Sequence, residues 1–191
     1  MSFLSFTQTA RAAAWARGVR QCVVIGSRGL WSECCPSLPD QDWQVFLVDE
    51  EPSSNSSATF VPTQFASETL ATALAKSGFD AGKASLFVWL GSPGYRTVDA
   101  ALASLAFIAS RPRGSGVVFD YMVERTSPGS LMRTALDALA SRLEMVGGSI
   151  KHLVNPSAVV AMLRGFGFQK IVDQGFEERS SSGRHLVSAV T

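Results

Sequence analysis

The sequence predicts an α/β protein, a doubly wound and mostly parallel sheet with an antiparallel strand at its C-terminal edge. Two observations carry this. Short β-branched runs alternate with Ala-rich stretches of helical length. Runs such as Leu86-Phe87-Val88-Trp89 are apolar at consecutive positions, as central parallel strands buried on both faces require. The 191 residues fit a single domain spanning 1–191, and a chain this long buries enough apolar surface to need no disulfide or metal.

Taken in order, Thr9 to Gly18 is Ala-rich and helical, with Gly18 as its stop. Gln21 to Ile25, Val45 to Val48 and Thr59 to Val61 follow as strands. Ser67 opens a helix that runs to Lys76 and stops at Gly78. Ser85 to Trp89 is the fourth strand. In the helix from Val98 to Ser110, Leu102, Leu105, Ala106 and Ala109 make an apolar face at i, i+3, i+4 and i+7. Val117 to Tyr121 is the fifth strand, followed by helices over Pro128 to Met145 and Pro156 to Phe166. Gln169 to Val172 and His185 to Val190 flank a polar turn around Ser180-Ser181-Ser182-Gly183 and form a terminal β-hairpin. One connection is short. Ten Ser- and Asn-rich residues separate Val48 from Thr59, so a loop without a crossover helix is expected there.

Composition excludes several classes. With 46% hydrophobic and 17% charged residues the chain is not disordered, collagenous or a coiled coil. No apolar run approaches the length of a bilayer span, so no membrane is expected. A formal net charge of +1 gives no global field for nucleic acid or anionic lipid. Three cysteines, two of them the adjacent Cys34 and Cys35, suit a reduced cytoplasmic protein. Arg11, Arg17, Arg20 and Arg28 precede the first acid, Glu33, in the manner of a transit peptide, yet the segment runs unbroken into the first core strand. His152, His185 and the cysteines lack metal-ligand spacing, so no metal is expected. Neither a P-loop nor a Gly-x-Ser-x-Gly elbow occurs.

In a doubly wound sheet, ligands bind beyond the carboxyl ends of the strands, here the turns beginning at Gly26, Asp49, Pro62, Leu90 and Tyr121. At these turns the chain resembles a known family. The segments Arg20-Gln21-Cys22-Val23-Val24-Ile25-Gly26, Val45-Phe46-Leu47-Val48-Asp49 and Phe60-Val61-Pro62 are similar, in order, to the leucine carboxyl methyltransferase family. So are Leu70 to Phe79, Leu86-Phe87-Val88-Trp89-Leu90-Gly91, Val117-Val118-Phe119-Asp120-Tyr121 and the Gly165-Phe166-Gly167-Phe168 turn. The resemblance implies a Rossmann-like class I methyltransferase that moves a methyl group from S-adenosylmethionine to an oxygen of a small molecule, a carboxylate or hydroxyl.

The same resemblance implies site residues. Gly26, Ser27, Arg28 and Gly29 would let backbone approach the cofactor, Asp49 would hold its ribose, and Gln64 and Phe65 would lie near its adenine, with Leu90 at the end of the fourth strand. Tyr95, Asp120 and Tyr121 would face the substrate. Departures fall at the first turn, where Trp31 and Glu33 replace the family's Asp and Arg, leaving Arg28 as the nearest cation for the methionine carboxylate. Leu47 and Leu90 replace family glutamates, and most of the N-terminal helical cap is missing, which favours a homodimer or a partner subunit over the uncovered pocket. A second reading is a methyltransferase-fold scaffold that no longer transfers methyl groups or serves a different reaction.

Overall fold

The computed structural model describes residues 3–26, 43–52, 58–65, 67–90, 98–124, 156–176 and 182–191. The helix expected over Pro128 to Met145 lies outside them. Seven strands form one sheet: β1 (Gln21–Ile25), β2 (Gln44–Asp49), β3 (Thr59–Pro62), β4 (Ser85–Trp89), β5 (Gly116–Glu124), β6 (Lys170–Phe176) and β7 (Ser182–Val190). Their spatial order is β3-β2-β1-β4-β5-β7-β6. All neighbours pair in parallel except β7, which runs antiparallel to both β5 and β6. The antiparallel strand thus lies one place in from the edge, with β6 outside it. The direction of winding reverses between β1 and β4, which makes the carboxyl ends there the switch point of the sheet.

Four helices are described: α1 (Phe3–Ala16), α2 (Leu70–Ala75), α3 (Val98–Ala109) and α4 (Pro156–Gly165). α1 begins six residues before the expected Thr9, because Phe6 and Ala14 continue its apolar stripe into the core at helical spacing. It ends in a Schellman turn: Gly18 N–H donates to Trp15, Val19 N–H donates to Ala14, and Gly18 takes φ 87°. α2 starts at Leu70 rather than Ser67. The amides of Ser67 and Glu68 are turned back onto the Gln64 carbonyl, and Thr69 Oγ1 caps the helix by accepting from Thr72 N–H at 3.2 Å. In α3 the buried positions are Ser104, Leu105 and Ile108, whereas Ala106 is exposed. The buried stripe is therefore turned from the one expected, and the Ser104 hydroxyl is satisfied inside it by the Ala100 carbonyl at 2.9 Å.

Side chains alternate into two cores. One face of the sheet buries Val23, Ile25, Phe46, Val48, Phe87 and Trp89 beneath α2, α3 and α4, and the other buries Cys22, Val24, Val45, Leu47, Leu86 and Val88 beneath α1. Between them sits a buried polar staple. Gln21 accepts from Asp80 N–H at 3.0 Å, and its amide donates to the Asp80 carbonyl and to Ser85 Oγ.

The short β2–β3 connection is explained by register. Phe46 pairs with Thr59, so the chain returns only three residues' height, on the order of 10 Å, before β3 begins. Nine intervening residues reach that far without a helix. Glu50 to Pro52 and Ala58, the described parts of the loop, are not helical.

Candidate functional site

Ile25, Val48, Trp89 and Phe119 stand in one row across four parallel strands. One step beyond that row lie Gly26, Asp49, Leu90 and Asp120, at the carboxyl rim where a doubly wound sheet binds ligands. Gly26 N–H extends the ladder by donating to the Val48 carbonyl at 2.9 Å, and the residue then turns the chain away at φ 60°. That left-handed conformation is one that glycine adopts without a Cβ penalty.

Asp49 ends β2 beside it, with only 7% of its surface exposed. Its Oδ1 accepts from Glu50 N–H at 2.7 Å, which fixes the carboxylate's direction and uses one of its roughly four acceptor sites. The remaining sites suit a pair of vicinal hydroxyls, such as those of a ribose. The residues at the switch point therefore fit an adenosine-bearing cofactor: a backbone free to approach it at Gly26 and an anchored carboxylate at Asp49.

The other expected residues divide. Gln64 is exposed, with Oε1 accepting from Ser67 Oγ at 3.3 Å, and its side chain can reach a ligand at the rim. Phe65 cannot offer its ring in this arrangement, because it is 4% exposed and packed into the core beneath α2. The Leu90 side chain is fully buried in the opposite core, which leaves its backbone to face the crevice. Ser27, Arg28, Gly29 and Tyr95 lie outside the described residues.

Asp120 and Tyr121 were expected to share the substrate side. β5 instead continues to Glu124, and strand alternation sends the two side chains to opposite faces. Asp120, its side chain 5% exposed, pairs with Arg184 of β7 at 3.3 Å. Tyr121 turns toward the hairpin, where its hydroxyl donates to Asp173 Oδ2 at 2.5 Å. Asp173 Oδ1 lies 2.8 Å from His185 Nδ1, and the Tyr121 and His185 rings sit 5.3 Å apart. Burial first, and the Asp173 carboxylate second, push the Tyr121 hydroxyl well above the ordinary tyrosine range, so it acts here as a fixed donor.

Asp173 and Arg184 escaped the sequence reading because the hairpin strands were drawn too short, and His185 was read only as the residue that opens the last strand. Asp173 lies just past the expected end of β6, and Arg184 just before the expected start of β7. Residue alternation does not announce the extension, since Ile171, Asp173 and Gly175 share a face of β6 only through its pairing with β7. Among the described residues no cluster of three or more His, Cys, Asp or Glu could hold a metal ion, and no helix is long and apolar enough to cross a membrane.

A crevice at the switch point of a 3-2-1-4-5-7-6 sheet, with a turning glycine after β1 and an acid after β2, defines a nucleotide-cofactor fold. Solved class I methyltransferases share this fold. The chain aligns over 96% of its length with the 1,6-didemethyltoxoflavin-N1-methyltransferase of Burkholderia thailandensis, solved with S-adenosylhomocysteine (14% identity, TM-score 0.56, 76% of that chain covered). It aligns over 98% with human N-acetylserotonin methyltransferase in complex with S-adenosylmethionine (15% identity, TM-score 0.52), spanning 56% of that chain's length. It aligns over its whole length with the magnesium protoporphyrin IX methyltransferase of Synechocystis PCC 6803 (15% identity, TM-score 0.50, 87% of that chain covered). At such identities the likeness establishes the fold. None of these neighbours points to the leucine carboxyl methyltransferase family in particular. No family model matches the chain, and no curated protein matches its sequence.

Proposed function

We propose that this chain is an S-adenosylmethionine-dependent O-methyltransferase acting on a small molecule, at a carboxylate or hydroxyl oxygen. The observation that carries the reading is the pairing of Asp49 with Gly26 at the switch point. Asp49 would hold the ribose hydroxyls, Gly26 would admit the cofactor close to the β1 turn, and Gln64 would bond toward the adenine. When bound, the cofactor supplies a methyl group activated on a sulfonium. The protein's share is to position the acceptor oxygen in line with that methyl and to exclude water. A carboxylate acceptor needs no base, because it is already ionised at neutral pH.

The same reading puts the protein in the cytoplasm, where the buried Cys22 thiol would stay reduced, with a small-molecule substrate and a second copy or a partner subunit as its partners. The test is transfer of an isotopically labelled methyl from S-adenosylmethionine to a library of small hydroxyl and carboxyl compounds, read by mass spectrometry. Labelled product that disappears with Asp49→Ala supports the assignment. Absence of product from the parent, with intact cofactor binding, overturns methyl transfer.

Leu90 favours a second reading. Its wholly apolar, buried side chain stands where the resembling family carries a glutamate, as expected of a scaffold that keeps the fold and has given up part of the cofactor site.

A further inference from the structure

We propose that His185, Asp173 and Gly175 form a subsite for a weakly acidic hydroxyl group on the acceptor molecule. The inference rests on the methyltransferase reading for the word acceptor, but its chemistry stands on the hairpin alone. Tyr121, His185 and Gly175 are register partners across β5, β7 and β6, two steps beyond the row of Ile25 and Trp89. They therefore stand on the carboxyl rim, on the face that α2, α3 and α4 cover. β7 is two strands from β4, on the order of 10 Å. A group there meets the far part of a molecule whose reacting atom lies at the switch point.

The tautomer follows from the partners. Asp173 receives the Tyr121 hydroxyl on Oδ2 and faces His185 Nδ1 with Oδ1, so Nδ1 of the neutral imidazole carries the proton and Nε2 carries the lone pair. Both hydrogen bonds of His185 within the described residues are made through Nδ1. Gly175 lies under the His185 ring, where any Cβ would stand 2.9 Å from Nε2, 3.3 Å from Cε1 and 3.5 Å from Cδ2. Gly175 has no positive φ that would require glycine. What requires the missing side chain is the His185 ring packed on it. The His185 side chain is 22% exposed, so part of the imidazole is open at the rim.

An acceptor-only nitrogen backed by a carboxylate selects a donor. For an O–H of low enough pKa the proton transfers: the O–H bond breaks, an Nε2–H bond forms, and the resulting oxyanion faces an imidazolium whose charge Asp173 offsets. The Tyr121 ring beside His185 gives an aromatic carrier of that hydroxyl a surface to pack on. A phenol or enol matches this chemistry; an aliphatic alcohol would only hydrogen-bond.

The probe is 4-nitrophenol, whose ionised form alone absorbs in the visible, added to the full chain at a pH below the probe's own pKa. The parent is expected to bind it and raise the visible absorbance. His185→Gln should weaken binding roughly tenfold or more and abolish the rise. Gly175→Ala leaves both side chains in the protein but sets a Cβ 2.9 Å from Nε2, so the His185 ring must shift, and it is expected to do the same, which covers the case of a His185 variant that fails to fold. A parent that shows no rise, or a Gly175→Ala chain that titrates like the parent, overturns the proposal. Calorimetry with S-adenosylhomocysteine on the same preparation separates the two readings. Cofactor binding without a nitrophenol response removes the subsite alone. A nitrophenol response without cofactor binding removes the methyltransferase reading and leaves the subsite.

Discussion

The Tyr121 hydroxyl on β5 reaches past β7 to donate to the Asp173 carboxylate on β6 at 2.5 Å. One bond thereby links β5 to β6 across β7 at the carboxyl rim, and it turns the tyrosine hydroxyl toward the hairpin. Its energetic signature is a pH dependence. Tyrosine ionises at about 10 when unperturbed, and here burial and Asp173 hold it higher. A raised folded-state pKa contributes stability that is complete below the unfolded value and is lost as pH climbs through the folded one.

Tyr121→Phe should therefore flatten the decline in stability above pH about 10 while changing the slope near neutrality little. Denaturant unfolding across that range checks it. The chain has two tyrosines, so an alkaline spectroscopic titration resolves them. Asp173→Asn should bring the later step down, though not to the ordinary value, because burial remains.

Phe87 is wholly buried at the centre of the sheet, with Phe79 at 6.1 Å and Phe107 at 6.2 Å edge-on to its ring. Phe87→Ala should cost about 3–5 kcal/mol through lost contacts and an unfilled cavity. Val172→Ala, at 56% exposure on β6, should stay within about 0.5 kcal/mol of the parent. Equilibrium unfolding of the pair tests whether the core lies where it has been placed.

Gln21→Leu should destabilise the chain by about 1–3 kcal/mol, although it adds apolar surface to a buried site. The substitution strands the Asp80 N–H and carbonyl that the glutamine satisfies. Amide hydrogen exchange at Asp80 should rise in step. An unchanged midpoint would show that water replaces the side chain at no cost.

Much of the fold was legible because strands buried on both faces announce themselves: Ser85 to Trp89 and Gln21 to Ile25 run as read. What stayed hidden was set by partners distant in sequence. The α3 stripe turned because Ser104 could hide its hydroxyl on the Ala100 carbonyl, an option that hydrophobic periodicity does not weigh. β7 extends by pairing with β5 and β6 by pairing with β7, so Asp173 and His185 met Tyr121 through register rather than spacing. Of the candidate site, Gly26 and Asp49 follow from strand ends, whereas the burial of Phe65 and Leu90 depends on packing that local pattern does not encode.

Gly26→Ala places a Cβ at φ 60°, which should cost about 1–2 kcal/mol and weaken cofactor binding without abolishing the fold. Thermal unfolding with and without S-adenosylhomocysteine separates the two effects. If the ligand raises the midpoint of the variant as far as that of the parent, the β1 turn does not approach the cofactor.

The most direct test of the account is calorimetric titration of the parent and of Asp49→Ala with S-adenosylhomocysteine. Asp49 is anchored at the end of β2 by Glu50 N–H, and hydrogen bonds from ribose hydroxyls to a charged acceptor are worth about 1.5–3 kcal/mol. The parent should bind, and Asp49→Ala should bind about tenfold to a hundredfold more weakly. A parent that gives no heat, or a variant that binds as tightly as the parent, would contradict the placement of the cofactor at this crevice.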